Sequence, residues 1–352
     1  MSQKKFEQHS DYELFLPGKS WLFANPSHGC PLECSYCIEK KDSWFQNKIT
    51  HLYSSEQTIE EILKSPKVMK DKSPLTFYNF SDPFLPGNKE GLISILEKLD
   101  SFGWENKVGL ISKVNPGGKY LEKLSNLNNL KIGIFVSYAN LNPGLEKVSS
   151  ESRIELMKDS KNKGLKTIAY VRPLVRKWIT TDRIYELGDQ ISGKIDAIAL
   201  SGIRLTPEII EALKDKDLPI PEVETYVNKK RDNDLFWETT KILREKTNVP
   251  VFWHTSCAMS YVFNTPDYNS HDIREKIKKE ECGFPCIDVQ REICDSRKTN
   301  SSDQEVKDII NRLGKDISFE REGQKIILGG SELTREDVSF VRQILPEFVM
   351  KK

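Results

Sequence analysis

The side chains best suited to chemistry in this sequence are its seven cysteines, which fall into two groups. Cys30, Cys34 and Cys37 stand together in Cys30-Pro-Leu-Glu-Cys34-Ser-Tyr-Cys37, and Cys257, Cys282, Cys286 and Cys294 follow only after a long cysteine-free stretch. An odd count in two tight groups does not suit a secreted disulfide framework; metal ligation in a reducing compartment fits it better. Thiolates are soft ligands for zinc or iron-sulfur clusters. In the first group three thiols lack a local fourth. Either His28 completes a closed zinc site, or the three hold a cubane cluster with one iron left open. The second group, with spacings x24, x3 and x7, has the four thiolates of a closed site, either a second 4Fe-4S cluster or zinc. Gly283 and Pro285 shape a ligand loop between Cys282 and Cys286. His254, Asp267, Tyr268 and His271 lie in the same region, and either histidine could replace a cysteine as ligand.

The elements that must position these groups are legible as an alternation of strands and helices. Trp21-Leu22-Phe23-Ala24 is a short buried strand, and the first cysteine loop follows it directly. Strands are expected at 75–80, 107–112, 131–137, 166–171 and 197–200. Helices are expected near 55–63, with Ser54 or Ser55 as cap, and at 89–99, 118–127, 150–163 and 182–191. Six β units at this spacing, with near-continuous apolar strands, predict a parallel α/β fold, a partial (β/α)6 TIM-like barrel. Beyond it come a helix over 234–247, a strand at 249–253, a hairpin over 317–328 turning near Gly323, and a last amphipathic helix started by Ser331 or Thr334. The expected organisation is an N-terminal arm over 1–20, a barrel over 21–215 ending at the Pro219 and Pro221 break, an auxiliary cysteine region over 216–300, and a C-terminal hairpin and helix over 301–352.

Composition narrows the class further. With 352 residues, 38% hydrophobic and 30% charged, the chain is ordinary globular material. No uncharged stretch approaches the roughly 20 residues that span a bilayer, so the expectation is a cytoplasmic protein without a membrane partner. Lys and Arg (53) nearly cancel Asp and Glu (52), so net charge does not call for nucleic acid. The one compact basic run, Lys229-Lys230-Arg231, reads as a solvated helix start.

The C-x3-C-x2-C spacing, with the aromatic Tyr36 before the third cysteine and a strand before the loop, resembles the signature of the radical S-adenosylmethionine superfamily. That resemblance implies a 4Fe-4S cluster on Cys30, Cys34 and Cys37, with S-adenosylmethionine chelating the fourth iron. It also implies reductive cleavage to a 5'-deoxyadenosyl radical that abstracts hydrogen, and an electron donor such as flavodoxin or ferredoxin. The core is most similar to the spore photoproduct lyase branch. In that branch Ser81-Asp82 would meet the methionine amino group, Lys113 its carboxylate and Ser137 the ribose. Tyr36 joins them as a cofactor contact, Tyr138, Tyr170 and Arg172 are the candidate catalytic residues, and Tyr170, Arg172 and Arg204 on the next strands either face substrate or are barrel-rim residues. Tyr138, Tyr170 and Tyr268 are the candidate hydrogen donors. The second cysteine group departs from that branch, so its substrate does not transfer. The expectation is a radical enzyme with a second 4Fe-4S cluster and an unknown peptide, small-molecule or nucleotide substrate, in keyword terms an oxidoreductase. The alternatives are a non-catalytic zinc or iron-sulfur interaction protein and a spore photoproduct lyase-like nucleic-acid repair enzyme.

Overall fold

The structure, a computed structural model, describes residues 14–18, 20–42, 45–141, 144–222, 232–271, 286–296 and 300–352. Most of the expected N-terminal arm, Cys282 and the basic run at 229–231 lie outside the described residues. In chain order the first half contains β1 (Phe15–Pro17), β2 (Leu22–Ala24), β3 (Ser27–His28), β4 (Thr50–His51), α1 (Ser55–Lys64), β5 (Leu75–Phe77), α2 (Lys89–Ser101), β6 (Lys107–Ser112), α3 (Gly118–Ser125), β7 (Lys131–Ser137), α4 (Ser150–Asn162), β8 (Lys166–Val171), α5 (Thr181–Ile191) and β9 (Ala197–Leu200). Local sequence explains the starts of these helices. Ser54 caps α1 in a reciprocal box with Gln57, and Ser149 and Thr180 accept from the third residues of α4 and α5.

The second half contains α6 (Pro207–Lys214), α7 (Asn233–Thr247), β10 (Val251–Phe252), α8 (Thr255–Val262), α9 (Asp288–Asp295), α10 (Asp303–Asn311), β11 (Ser318–Glu322), β12 (Lys325–Gly329), α11 (Arg335–Ile344) and β13 (Phe348–Lys351). The main sheet has eight strands in the order β1-β2-β5-β6-β7-β8-β9-β10. Every pairing in it is parallel except β1 with β2. Two strands therefore exceed the expected six. β1 comes from the stretch read as an arm, and β10 pairs with β9 beyond the expected boundary at 215. The Pro219 break is a surface connection inside the repeat, where the Pro219 carbonyl accepts from Trp178 Nε1 at 2.7 Å.

Strand alternation sorts the sheet into two faces. Val108, Leu110, Ile134, Val136, Val171 and Ile198 pack beneath the outer helices. Trp21, Phe135, Ile168, Tyr170, Ala199 and Phe252 line the concave face, where Ala258, Met259 and Val262 of α8 pack among them. Two glycines make room inside. A Cβ at Gly109 would come within 2.8 Å of the Trp21 ring, and one at Gly133 within 2.7 Å of Met259 Sδ. Helix α8 thus plugs the barrel, and the carboxyl ends of the strands are left to build sites. The C-terminal unit, β11-β12-β13 with α10 and α11, has its own core around Ile326, Leu328, Phe340, Val341 and Val349. It is tied to the barrel by Arg312, which donates to the Pro66 and Val68 carbonyls at 3.1 Å each, and by Gln343 Nε2, which donates to the Gly18 carbonyl at 2.7 Å.

Candidate functional site

The loop after β2 brings Cys30, Cys34 and Cys37 to one cavity of ≈ 150 Å³, whose other walls include Tyr36, Ser81, Asp82, Lys113, Ser137 and Arg172. Apart from Tyr36, which is in the cysteine loop, these wall residues lie at or after the carboxyl ends of β5, β6, β7 and β8, where open α/β folds place their ligands. The loop is fixed by backbone constraints. Gly29 has φ +82, and a Cβ there would collide with the Lys48 carbonyl, so no other residue fits before Cys30. Ser81 Oγ donates to the Gly29 carbonyl at 2.6 Å, and Asn88 Nδ2 donates to Ser81 Oγ at 3.0 Å. Asp82 is buried and accepts from Ser112 Oγ at 2.7 Å, Lys113 N at 2.9 Å and Phe84 N at 3.0 Å. Its carboxylate thus shapes the turn that carries Lys113. Burial pushes all three thiols up, Cys30 to about 12, so a metal entering here must displace protons.

A charged group stands behind Cys34. Glu146, nearly fully buried, accepts from Tyr36 Oη and Arg153 Nη1 and lies 3.8 Å from Lys113 Nζ. Burial works against the charge of Lys113, but Cys34 and Glu146 outweigh it and hold its pKa above the ordinary lysine value. Only Lys113 of this set lines the cavity, so its ammonium is the cation the set presents there. The arrangement suits an anionic ligand group. Tyr36 packs on Trp178 with ring centroids 5.9 Å apart, and Lys113 Nζ lies 5.6 Å from its ring centre. Glu39, also on the wall, is pushed from 4.5 up to about 7 by burial.

His28 is buried in the β3–β4 ribbon and is not on the cavity wall. Nor do the three thiols crowd as ligands of one ion do: among the described residues only Cys257, Asp267 and His271 bring three such ligand atoms within 4.8 Å of one another. At least one pair of the three sulfurs is therefore more than 4.8 Å apart, wider than the sub-4 Å separation of sulfur ligands on a single zinc with bonds of about 2.3 Å.

Cys257 is in the first turn of α8, Cys286 lies two residues before α9 and Cys294 in its last turn. They converge on Asp267, whose N–H donates to Cys294 Sγ at 3.4 Å; Gln290 Nε2 donates to the same sulfur at 3.3 Å. His271 Nδ1 lies 2.9 Å from Asp267 Oδ2 and 4.0 Å from Cys257 Sγ, and its ring stacks on His254 at 3.9 Å. Coulomb attraction and hydrogen bonds from His271 overcome burial and hold the Asp267 carboxyl well below the usual range. Cys282, the fourth member of the expected set, lies outside the described residues.

A second cavity of ≈ 480 Å³ adjoins this group, walled by Tyr170, Ser201, Trp253, His254, Asn269, His271 and, from the C-terminal unit, Arg342 and Phe348. The Arg172 guanidinium lies 5.7 Å from the Tyr170 ring centre, so one contact joins the walls of the two cavities. Of the candidate hydrogen-donor tyrosines Tyr138, Tyr170 and Tyr268, Tyr170 alone lines either of these two cavities. Tyr138 is fully buried in the outer layer, where its hydroxyl donates to Gln190 Oε1 at 2.5 Å, because its position continues the outward-facing register of β7. Tyr268 packs near Trp21 at 6.0 Å, and Arg204 is exposed. Sequence reading missed Glu146, Arg153 and Asn269. Glu146 and Arg153 are seven residues apart around the start of α4, a spacing that carries no local motif.

No protein-family model matches the chain, and no curated protein matches it. Solved structures do. A double-mutant spore photoproduct lyase with bound AdoMet and dinucleoside spore photoproduct has a TM-score of 0.53 at 12% identity, covering 66% of this chain and 76% of that one. A single-mutant form of the same enzyme gives 0.51 at 14% identity, over 64% and 74%. Streptococcus suis SuiB bound to S-adenosylmethionine gives 0.48 at 15% identity, over 73% and 57%. The likeness to spore photoproduct lyase shows that this chain has that enzyme's core fold.

Proposed function

We propose that this chain is a radical S-adenosylmethionine enzyme, with Cys30, Cys34 and Cys37 as ligands of a 4Fe-4S cluster whose fourth iron takes the cofactor. The observation that carries the reading is the convergence of buried Cys34 and half-buried Cys30 and Cys37 with Ser81, Asp82, Lys113 and Ser137 on one cavity of a spore photoproduct lyase-like barrel. When bound, the cluster and cofactor supply a 5'-deoxyadenosyl radical for hydrogen abstraction. The chain's own residues position and enclose. Ser81 holds the cysteine loop through Gly29, and Asp82 holds the backbone of Lys113. Lys113 offers its cavity-facing ammonium to the cofactor carboxylate, and buried Ser137 offers its hydroxyl to the ribose. The Tyr36 ring, backed by Trp178, gives the cavity an apolar wall that keeps water from a reactive intermediate.

Substrate enters through the second cavity in this reading, because Arg172 and Tyr170 place its wall against the first. Neither the dinucleoside lesion nor any other neighbour's ligand is carried over. The test is anaerobic incubation of cluster-loaded protein with dithionite and S-adenosylmethionine. Formation of 5'-deoxyadenosine, lost in the Cys30/Cys34/Cys37→Ala variant, supports the proposal. Its complete absence from cluster-replete protein would return the chain to the class of metal-binding interaction proteins.

A further inference from the structure

We propose that Cys257, Asp267 and His271 bind a single zinc ion beside the second cavity. Their ligand atoms, one sulfur, one carboxylate oxygen and one imidazole nitrogen, lie within 4.8 Å of one another. A tetrahedral zinc with bonds of about 2.0 Å to N and O and about 2.3 Å to S sets N···O near 3.3 Å and N···S near 3.5 Å. The observed separations are 2.9 Å for His271 Nδ1 to Asp267 Oδ2 and 4.0 Å for His271 Nδ1 to Cys257 Sγ. Each needs a shift of about 0.5 Å, within the reach of side-chain torsions alone. The mixed S, N and O donor set suits a borderline metal.

The surroundings are those of a supported ligand set. Asp267 is almost fully buried, and its Oδ1 takes no hydrogen bond. The Asp267 main chain is tied to Cys294 Sγ, and His271 is stacked on His254. Cys294 is outside the tight group: its sulfur accepts from two N–H donors behind Asp267 instead of facing His271. This departs from a four-cysteine cluster site. The ion would also have a position in the function. His271 lines the second cavity, and so does Asn269, four per cent exposed with both side-chain amide atoms free of hydrogen bonds. A metal that clamps residues 267 and 271 fixes the short loop that offers this donor and acceptor to a bound molecule. The zinc assignment does not depend on the first site; its link to substrate rests on the proposed function.

The experiment is metal analysis and zinc-edge X-ray absorption on the full-length protein, purified without chelator. Expected are one equivalent of zinc in wild type and in the Cys30/Cys34/Cys37→Ala variant, and a first shell of one sulfur with nitrogen or oxygen in the remaining positions. Cys257→Ser and His271→Gln should lose at least nine-tenths of the zinc, whereas Cys294→Ser should retain it. Two or more sulfurs around zinc, iron in place of zinc, no zinc in wild type, or loss of zinc from Cys294→Ser would each overturn the assignment. The absorption measurement on wild type decides even if a variant fails to fold.

Discussion

Replacing Lys113 by Met separates a cofactor contact from a structural ion pair. The Lys113 ammonium is 3.8 Å from Glu146, too far for a hydrogen bond, and both Glu146 oxygens are already used by Tyr36 and Arg153. Removing the lysine therefore leaves Glu146 paired, while a buried ammonium no longer has to be desolvated. The net stability change should stay within about 1 kcal/mol, roughly 2 °C in a chain of this length. The cofactor carboxylate would lose a charge-assisted hydrogen bond worth about 1.5–3 kcal/mol, a weakening of about 10- to 150-fold. The assay is titration calorimetry of S-adenosylmethionine into anaerobic, cluster-loaded wild type and Lys113→Met, with iron content and thermal midpoint measured on the same samples. Unchanged affinity at full cluster content would refute the assigned role. So would a loss of stability large enough to account for the weakened binding.

Three further outcomes follow from the same geometry. Glu146→Gln leaves Arg153 and Lys113 as adjacent buried cations and should cost about 3–5 kcal/mol in chemical denaturation. Gly133→Ala should destabilise by about 1–3 kcal/mol through the clash with Met259, and Met259→Ala in the same background should recover part of that loss, a coupling a double-mutant cycle reads directly. In the C-terminal unit, burial pushes Asp337 up, but Lys315 at 2.6 Å and Thr334 N at 2.9 Å hold it below the usual carboxylate range. A lowered carboxyl stabilises above its unfolded pKa, so Asp337→Asn should cost about 1–2 kcal/mol at pH 7, with the difference fading as pH falls below about 4.

Strands β6, β7, β8 and β9 could be read from the sequence to the residue, because each is a continuous apolar run buried on both faces. The cysteine loop was legible from its spacing, and residues 81, 82, 113 and 137, which share its cavity, from the resemblance of their strand ends to the spore photoproduct lyase branch. What stayed hidden was long-range. Two-residue strands such as β3 and β4 carry no periodicity, and β1 is defined only by its pairing to β2. Helix α8 mixes apolar side chains with Ser256 and Ser260 and buries both kinds, so it lacks the amphipathic signal that marks a surface helix. The second cysteine group was found by residue type, yet its tight ligand set also draws on Asp267, whose role depends on a chain reversal that places it against His271 and Cys257.

The central claim is that the first cysteine site leaves one iron open to the cofactor. Electron paramagnetic resonance of the dithionite-reduced protein, before and after S-adenosylmethionine is added, tests it most directly. A reduced 4Fe-4S signal whose g values shift with the cofactor, and which disappears in the Cys30/Cys34/Cys37→Ala variant, is the predicted result. A cluster signal indifferent to the cofactor, or one that survives in that variant unchanged, would contradict it.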